Sequence, residues 1–512
     1  MAEQKKETIF DTYANITYFD AQARLSSRFS DKAGELPALA SLKARRSFDE
    51  GDHWQKGEGF IGQLPTGDKS TERTELLRRA FSPEEVIAEV LDTHVENVLG
   101  NDPAISLEDA PENDATLEIV KAWFEKRENT KILAKALRAA RRESASVLRA
   151  FIPSGMIDGE GRIKAKNLEE ALSKIWIRHE TIDKGGVIVD EATATELGLI
   201  LYKIHIERAQ ISLCEYAYLN EIGSTVWGTA SAHTTELGSE QAEPLQLNGL
   251  LPIYQLNAAA LISDSACQAQ RAVNLSGTML TRNNNLAGSR ERLAIGVQPP
   301  GEWKDDIDAE TGLPKKTFEP AEMKTGPATF NFLSAMPIHD DSGNITGYGN
   351  PNVIFTDPVP VDTFLATSKH WREVIYSKAK MRHLLMSEDA TASGLSRVEA
   401  RNEFQASLNE SKQLVDAAGR WMIEIALHIA AHFIGTPGKF AKVKTTFEAE
   451  VSTVKLTSEE ISQIREDYRA GLIDLQTALE LRGMKNVDEI LKRVAAEKPK
   501  TLETQPVNDV TK

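Results

Sequence analysis

Two histidines four residues apart, His428 and His432 in "HIAAHF", have the spacing at which one helix face offers a pair of zinc ligands. A zincin also needs a Glu next to the first His, and none is there, so a core or surface pair is expected. The stretch "DDSGNITGYGN" from Asp340 has a loose likeness to a calcium loop. It lacks acidic residues at fixed spacing and the closing Glu, which leaves a hairpin turn at Ser342 and Gly343 as the better reading. "GTPGKFAK" has neither the spacing of a P-loop nor a Ser or Thr after its Lys. There is no G-x-S-x-G, no strand-linked G-x-G-x-x-G, and no carboxylate pair placed by a motif. The sequence therefore points away from an enzyme without excluding one, and neither a metal nor a cofactor is expected.

Two other groupings carry chemistry of a different kind. Lys369, Arg372, Tyr376, Lys380 and His383 recur at spacings of 3, 4, 4 and 3, which is one face of a helix. That face is basic in a chain whose formal net charge is −16. It could line a channel, or pair with an acidic neighbour across a subunit interface. Close behind it, residues 387–394 are small, polar and end in glycine, between two strongly helical stretches. Such a loop is either an ordinary connector or one selected to touch a partner weakly.

Net charge bounds the partners. A free nucleic-acid binder is usually basic, because affinity comes from neutralising phosphates. A chain this acidic is no ordinary DNA-binding protein. It is compatible with one that lets DNA pass without gripping it, and equally with an ordinary acidic cytosolic protein. Cys214 and Cys267 lie far apart in sequence, which fits a reducing compartment and rules out a disulfide framework or a cysteine-based zinc site. No apolar run is long enough for a membrane helix, and "MAEQKKETIFDTY" has no apolar core of a signal peptide.

The elements that must position these groups follow from periodicity. "SPEEVIAEVLDTHVENVLG" reads as a helix with Ser82 as N-cap, Pro83 at N1, Glu85 completing a capping box and Gly100 at the end. A helical tract runs over about 115–149, with Lys135, Arg138, Arg142 and Arg149 near one solvated face. "VLRAFIPSGMIDGEGRIKAK" reads as two strands about an Asp158-Gly159 turn, and a β-rich pattern continues to about residue 233. A helix over about 259–283 precedes a β and loop insertion, 293–360, whose apolar runs are too short to build a large core alone. Two helices follow, over about 361–386 and 396–434. The second is roughly 58 Å long and suggests a large assembly. A strand, three short helices and a disordered end complete the chain. The fold class is α+β, mainly α.

The order of these parts, together with "RRSFDEGDHW", "RAFSPEEVIAEVLDTHVENVLGNDPAISLE", "TASGLSRVEARNEF" and "YRAGLIDLQTALELRGMKNVDEILKRVAAE", resembles the portal proteins of tailed bacteriophages. The resemblance covers about 40–497 and is weakest over 293–360. It implies an N-terminal wing over 1–258, stem helices over 259–292 and 361–386, and a clip over 293–360. It further implies a tunnel loop over 387–396, a long wing helix and strand over 397–454, a crown over 455–497 and a disordered tail over 498–512. It implies a ring, usually of twelve subunits, at a capsid vertex of the virion, assembled in the host cytoplasm. The ring would pass double-stranded DNA and meet the terminase motor, major capsid protein, scaffold and head–tail adaptor, with no membrane partner and no catalysis of its own. Glu388, Asp389, Ala390, Thr391, Ala392, Ser393 and Gly394 would face the DNA. The alternatives are another ring-forming structural virion protein, such as an adaptor, and a cytosolic enzyme without a recognisable motif.

Overall fold

The computed structural model describes residues 16–29, 36–54, 70–109, 113–153, 165–190, 195–206, 209–231, 245–288, 394–451, 458–481 and 491, and 292–388 apart from 296, 299–300, 308–313, 321–333, 341–344, 351 and 356–358. Among the described residues the fold is α+β and mainly α, with helix outweighing strand. Helices α1 (Tyr18–Ser27), α2 (Leu39–Asp49), α3 (Ser70–Ala80) and α4 (Val86–Leu99) precede strand β1 (Ala104–Glu108). Helices α5 (Asn113–Lys126) and α6 (Asn129–Glu143) lead to β2 (Ala145–Phe151), α7 (Leu168–Ser173) and β3 (Trp176–Glu180). Then come β4 (Gly185–Asp190), β5 (Thr195–Ile206), β6 (Ala209–Leu219), β7 (Thr225–Ser231) and β8 (Ile253–Asn257). Helix α8 (Asp264–Gly288) opens onto short strands: β9 (Arg292–Ile295), β10 (Val297–Gln298), β11 (Gly301–Ile307), β12 (Pro314–Pro320), β13 (Ser334–Ala335), β14 (Pro337–His339), β15 (Ile345–Tyr348) and β16 (Asn352–Phe355). The chain continues as α9 (Val361–Lys378), α10 (Arg382–Glu388), α11 (Gly394–Phe433), β17 (Lys444–Glu448), α12 (Ser458–Arg469) and α13 (Leu475–Leu481).

Two compact units share the chain. The first comprises residues 1–93, 135–151 and 177–390, and the second 94–134, 152–176 and 391–512. In the first, β4-β5-β6-β7 form an antiparallel sheet and β3-β2-β8 a smaller one. Strand side chains alternate between faces. Leu197 and Leu199 therefore meet Ile16, Tyr18, Ala21 and Leu25 from α1 and the segment before it. Ile200 points the other way, into Ala145, Val147, Ile182 and Ile253. Arg28, just past α1, donates to the carbonyls of Ile182 and Gly185 at 3.0 Å and to Gln255 at 3.1 Å. A Cβ at Gly186 would fall 1.9 Å from its guanidinium, so only glycine leaves room for that clamp.

A chain of alternating charges ties α2 to α6. Asp49 takes Arg138 and Arg142, both at 2.5 Å, and Glu143 takes Arg142 and Arg46. Arg46 also reaches Asp183 at 2.7 Å. The Asp49 and Glu143 side chains are only 2% and 1% exposed, so each needs both of its arginines to offset desolvation. Burial works against the Arg46 charge, but its hydrogen bonds to Glu143 and Asp183 outweigh that and raise its pKa. His179 lies in the same field. Burial lowers its pKa to about 4 from an ordinary 6.5, with Arg142, Lys135 and Arg46 adding to the effect against the opposing pull of Glu143.

The second unit is organised by α11. From Trp421 to Ala431 this helix is almost wholly buried, while its earlier turns bury a single stripe including Phe404, Leu408, Val415 and Ala418. The antiparallel ribbon β1–β17 turns Ile105, Leu107, Thr445 and Phe447 inward. The Phe447 ring lies so near Gly419 that a Cβ there would meet it at 2.5 Å.

Several sequence expectations need correction. The helical tract over 115–149 is two helices and a strand. The chain turns left-handed at Glu128 (φ 52°) and Ser144 (φ 75°), and Arg149 sits on β2. The expected solvated arginine face is instead a set of partly buried ion pairs, with Arg149 on Glu215. Ser82 does not cap α4: the helix starts at Val86, and the Glu85 carbonyl accepts from the Glu89 amide at 2.9 Å. Strand β2 pairs with β3 and β8, and the proposed turn at Asp158 and Gly159 lies outside the described residues. So do the turn at Ser342 and Gly343 and the tail over 498–512.

Candidate functional site

The grouping most open to a functional reading is the helix pair α8 and α9, the insertion between them and the loop beyond. Helix α8 carries a stripe at i, i+4 spacing, Gln270, Asn274 and Thr278, all fully buried. Apolar residues would be ordinary there. These polar side chains are needed because Ser82, Glu84 and Ile87, at and before the start of α4, have backbone N–H groups without helical acceptors. Ser82 N–H donates to Thr278 Oγ1 (3.3 Å), Glu84 N–H to Asn274 Oδ1 (3.2 Å) and Ile87 N–H to Gln270 Oε1 (3.1 Å). Gln270 Nε2 returns a bond to the Glu84 carbonyl at 2.6 Å. Asn274 Nδ2 donates to His53 Nδ1 (3.1 Å), and His53 Nε2 lies 3.1 Å from the Phe48 carbonyl, which can only accept. His53 is thereby held with its proton on Nε2. Gly277 lets the Ser82 carbonyl come close, since a Cβ would sit 2.8 Å from it.

Helix α9 packs along α8. At its start, Asn283 of α8 holds the Val359 backbone on both sides, accepting from its N–H and donating to its carbonyl, each at 2.9 Å. Of the residues expected on one basic face, Lys369 is exposed. Arg372 is about half exposed and pairs with Glu84 at 3.1 Å. Tyr376 is buried and donates to Glu89 at 2.9 Å; burial, then that bond, raise its pKa. The groove around Arg372 is lined by Glu84, Glu85, Glu89 and Asp92, so its field is acidic.

The expected continuous helix over 361–386 is also broken. Helix α9 ends at Lys378, and Lys380 takes a left-handed conformation (φ 60°). Met381 N–H then bonds to the Tyr376 carbonyl (2.8 Å) and Lys380 N–H to that of Ser377 (3.3 Å), with Met381 fully buried. This is a complete Schellman stop with lysine where glycine is usual. Lys380 and His383 therefore do not continue the face of Lys369 and Arg372. Sequence reasoning missed the stop because no Gly, Asn or Pro marks it. The amide stripe in "QAQRAVNLSGT" was legible as spacing, but its partners were not.

The expected loop over 387–396 is narrower: Glu388 is the last residue of α10 and Gly394 the first of α11. Asp389, Ala390, Thr391, Ala392 and Ser393 lie outside the described residues. The division between the two units falls within this stretch, between Ala390 and Thr391. Helix α11 matches its expected bounds closely, at 40 residues.

In the insertion, β9–β16, β10–β13, β11–β12 and β14–β15 are separate two-stranded ribbons. None of the buried core residues lies between 289 and 360 among the described residues, while Ile307, Met336, Ile338, Ile345 and Tyr348 are exposed. His428 is buried, and burial lowers its pKa. No group of three or more metal-ligating side chains occurs among the described residues, and none of their helices is long and apolar enough to cross a membrane. The chain matches no protein-family model and no curated protein.

Proposed function

We propose that this chain is the subunit of a portal ring, the channel at a capsid vertex through which double-stranded DNA is packaged and ejected. The observation that carries this reading is the succession of a packed helix pair, a β insertion with no buried core among its described residues, a short small-residue loop and a 40-residue helix. Two-stranded ribbons are marginal alone. Ribbons with their large apolar residues exposed need neighbours, and a ring of identical copies supplies them at every position. In this reading α8 and α9 are the stem, 293–360 the clip, 389–393, between α10 and α11, the tunnel loop and 458–481 part of the crown. The motor is a separate polypeptide, and the clip meets first that motor and then the tail adaptor.

The loop composition fits transit. Ala390, Thr391, Ala392, Ser393 and Gly394 offer only weak contacts to a sliding duplex. The charges of Glu388 and Asp389 repel phosphates and discourage adhesion. On the stem, Lys369 and the exposed part of Arg372 remain candidates for the channel wall. Tyr376 is committed to Glu89 and does not.

The test is Thr391→Lys with Ser393→Lys, measured as DNA packaged per capsid. Assembly should persist while packaged DNA falls, because lysines add persistent phosphate contacts. Unchanged packaging in capsids carrying the variant would remove the loop from the DNA path.

A further inference from the structure

Ribbon β11–β12 has two outer edges with no further strand among the described residues. Its strands differ in charge. Strand β11 carries Glu302, Lys304, Asp305 and Asp306, and β12 carries Lys315, Lys316 and Glu319. The register sets Asp305 opposite Lys316, Asp306 opposite Lys315, Trp303 opposite Phe318 and, at the far end, Glu302 opposite Glu319, where Lys304 supplies the counter-charge to Glu319. Asp305 and Asp306 are exposed. Near the tip, one outer edge therefore belongs to an acidic strand and the other to a basic one.

An open edge is a template for another strand, and cross-strand charge decides which strand it accepts. A two-fold contact centred near the tip would set Asp305 and Asp306 against their own copies, or Lys315 and Lys316 against theirs. A contact between β11 of one copy and β12 of the next repeats the pairing already made inside the hairpin. Direction agrees as well. Copies arranged head to tail keep the same orientation, so the incoming β12 runs antiparallel to β11. Pro314 and Pro320 bound β12 and lack N–H donors, which confines the joint to the residues between them.

We propose that the β11–β12 ribbons of successive copies join edge to edge, the acidic β11 of one copy taking the basic β12 of the next. The occupant of each edge is a second copy of this chain. The contact uses two different surfaces and leaves one of each open, so it propagates around a ring instead of closing a dimer. The inference rests on the ring reading above and assigns one of its subunit joints.

Paired cysteines test it, because the native Cys214 and Cys267 are buried. Full-length Asp305→Cys and Lys316→Cys chains are prepared separately, co-assembled and mildly oxidised. Disulfide-linked dimers are expected from the mixture and from neither variant alone. Cross-linking of Asp305→Cys by itself would show a two-fold joint and overturn the proposal. No cross-link in particles that keep a ring's mass would overturn it while leaving the ring reading intact. A wild-type chain that stays single would overturn both. Charge reversal gives a second readout. D305K/D306K or K315D/K316D alone should raise the concentration needed for assembly by about tenfold, and all four together should restore it. Failure of the fourfold variant to recover assembly contradicts the pairing.

Discussion

Replacing Asn274 with leucine should loosen the start of α4 far more than a conservative change of volume implies. Leucine is close in size, so no large cavity opens. The loss is polar. Asn274 accepts from the Glu84 amide and from Gln270, and donates to His53, at 3.1–3.2 Å, with no exposed surface. Each satisfied bond contributes about 1 kcal/mol net, and each buried partner left without one costs about 1–3 kcal/mol. The Glu84 N–H and His53 Nδ1 are both stranded, while the leucine side chain returns roughly 1 kcal/mol of apolar burial. The balance is a loss of about 3 kcal/mol. Because the chain has two units, a single unfolding midpoint would blur the effect. The suitable assay is native-state hydrogen exchange of the amides over 82–89. A loss of about 3 kcal/mol speeds their exchange by roughly 150-fold. Thr278→Val strands only the Ser82 amide and should change exchange by about tenfold. Less than a threefold effect of Asn274→Leu would refute the idea that the amide ladder holds this segment.

Three further outcomes follow from single sites. Lys380→Gly should stabilise the α9 stop by about 0.5–1 kcal/mol, since glycine adopts the left-handed position without strain; slower amide exchange over 376–381 checks it, and Lys380→Ala should give no gain. His179 has a folded pKa below its unfolded one, so its contribution is full above pH 6.5 and is lost as pH falls toward 4. That amounts to about 2 kcal/mol after discounting for partial exposure, and His179→Gln should flatten the stability–pH slope in that window. Gly419→Ala gains about 1 kcal/mol of helix propensity but drives a methyl into the buried Phe447 ring. Overpacking costs about 1–3 kcal/mol, so a net loss in thermal stability is expected; a rise in melting temperature would show that the ring can yield.

Long elements with strong periodicity were legible from residues alone. The stripe from Phe404 through Val415 to Ile429 located α11 to within two residues at its start and one at its end. The β-rich pattern read up to about residue 233 holds β4, β5, β6 and β7. Breaks made by ordinary residues were not legible. Glu128, Ser144 and Lys380 turn left-handed without glycine, because tertiary packing at sites such as buried Met381 outweighs their local cost. The start of α4 was misread for a related reason. Ser82 and Glu85 have the spacing of a local cap, but partners nearly 200 residues away bind the Ser82, Glu84 and Ile87 amides instead. The basic face failed twice over, through the stop at Lys380 and because charge read along one helix omits the carboxylates α4 brings to it. The arginines of α6 were identifiable as a cluster with Glu143 beside them, yet nothing local revealed Asp49 beneath them.

The central claim is that many copies of this chain enclose an axial pore. Rotational averaging of particle images of the purified protein, with its solution mass measured on the same sample, tests that most directly. A closed ring of near twelve copies, with a central opening wide enough for a DNA duplex, is expected. A single chain in solution, or an assembly without a central opening, contradicts it.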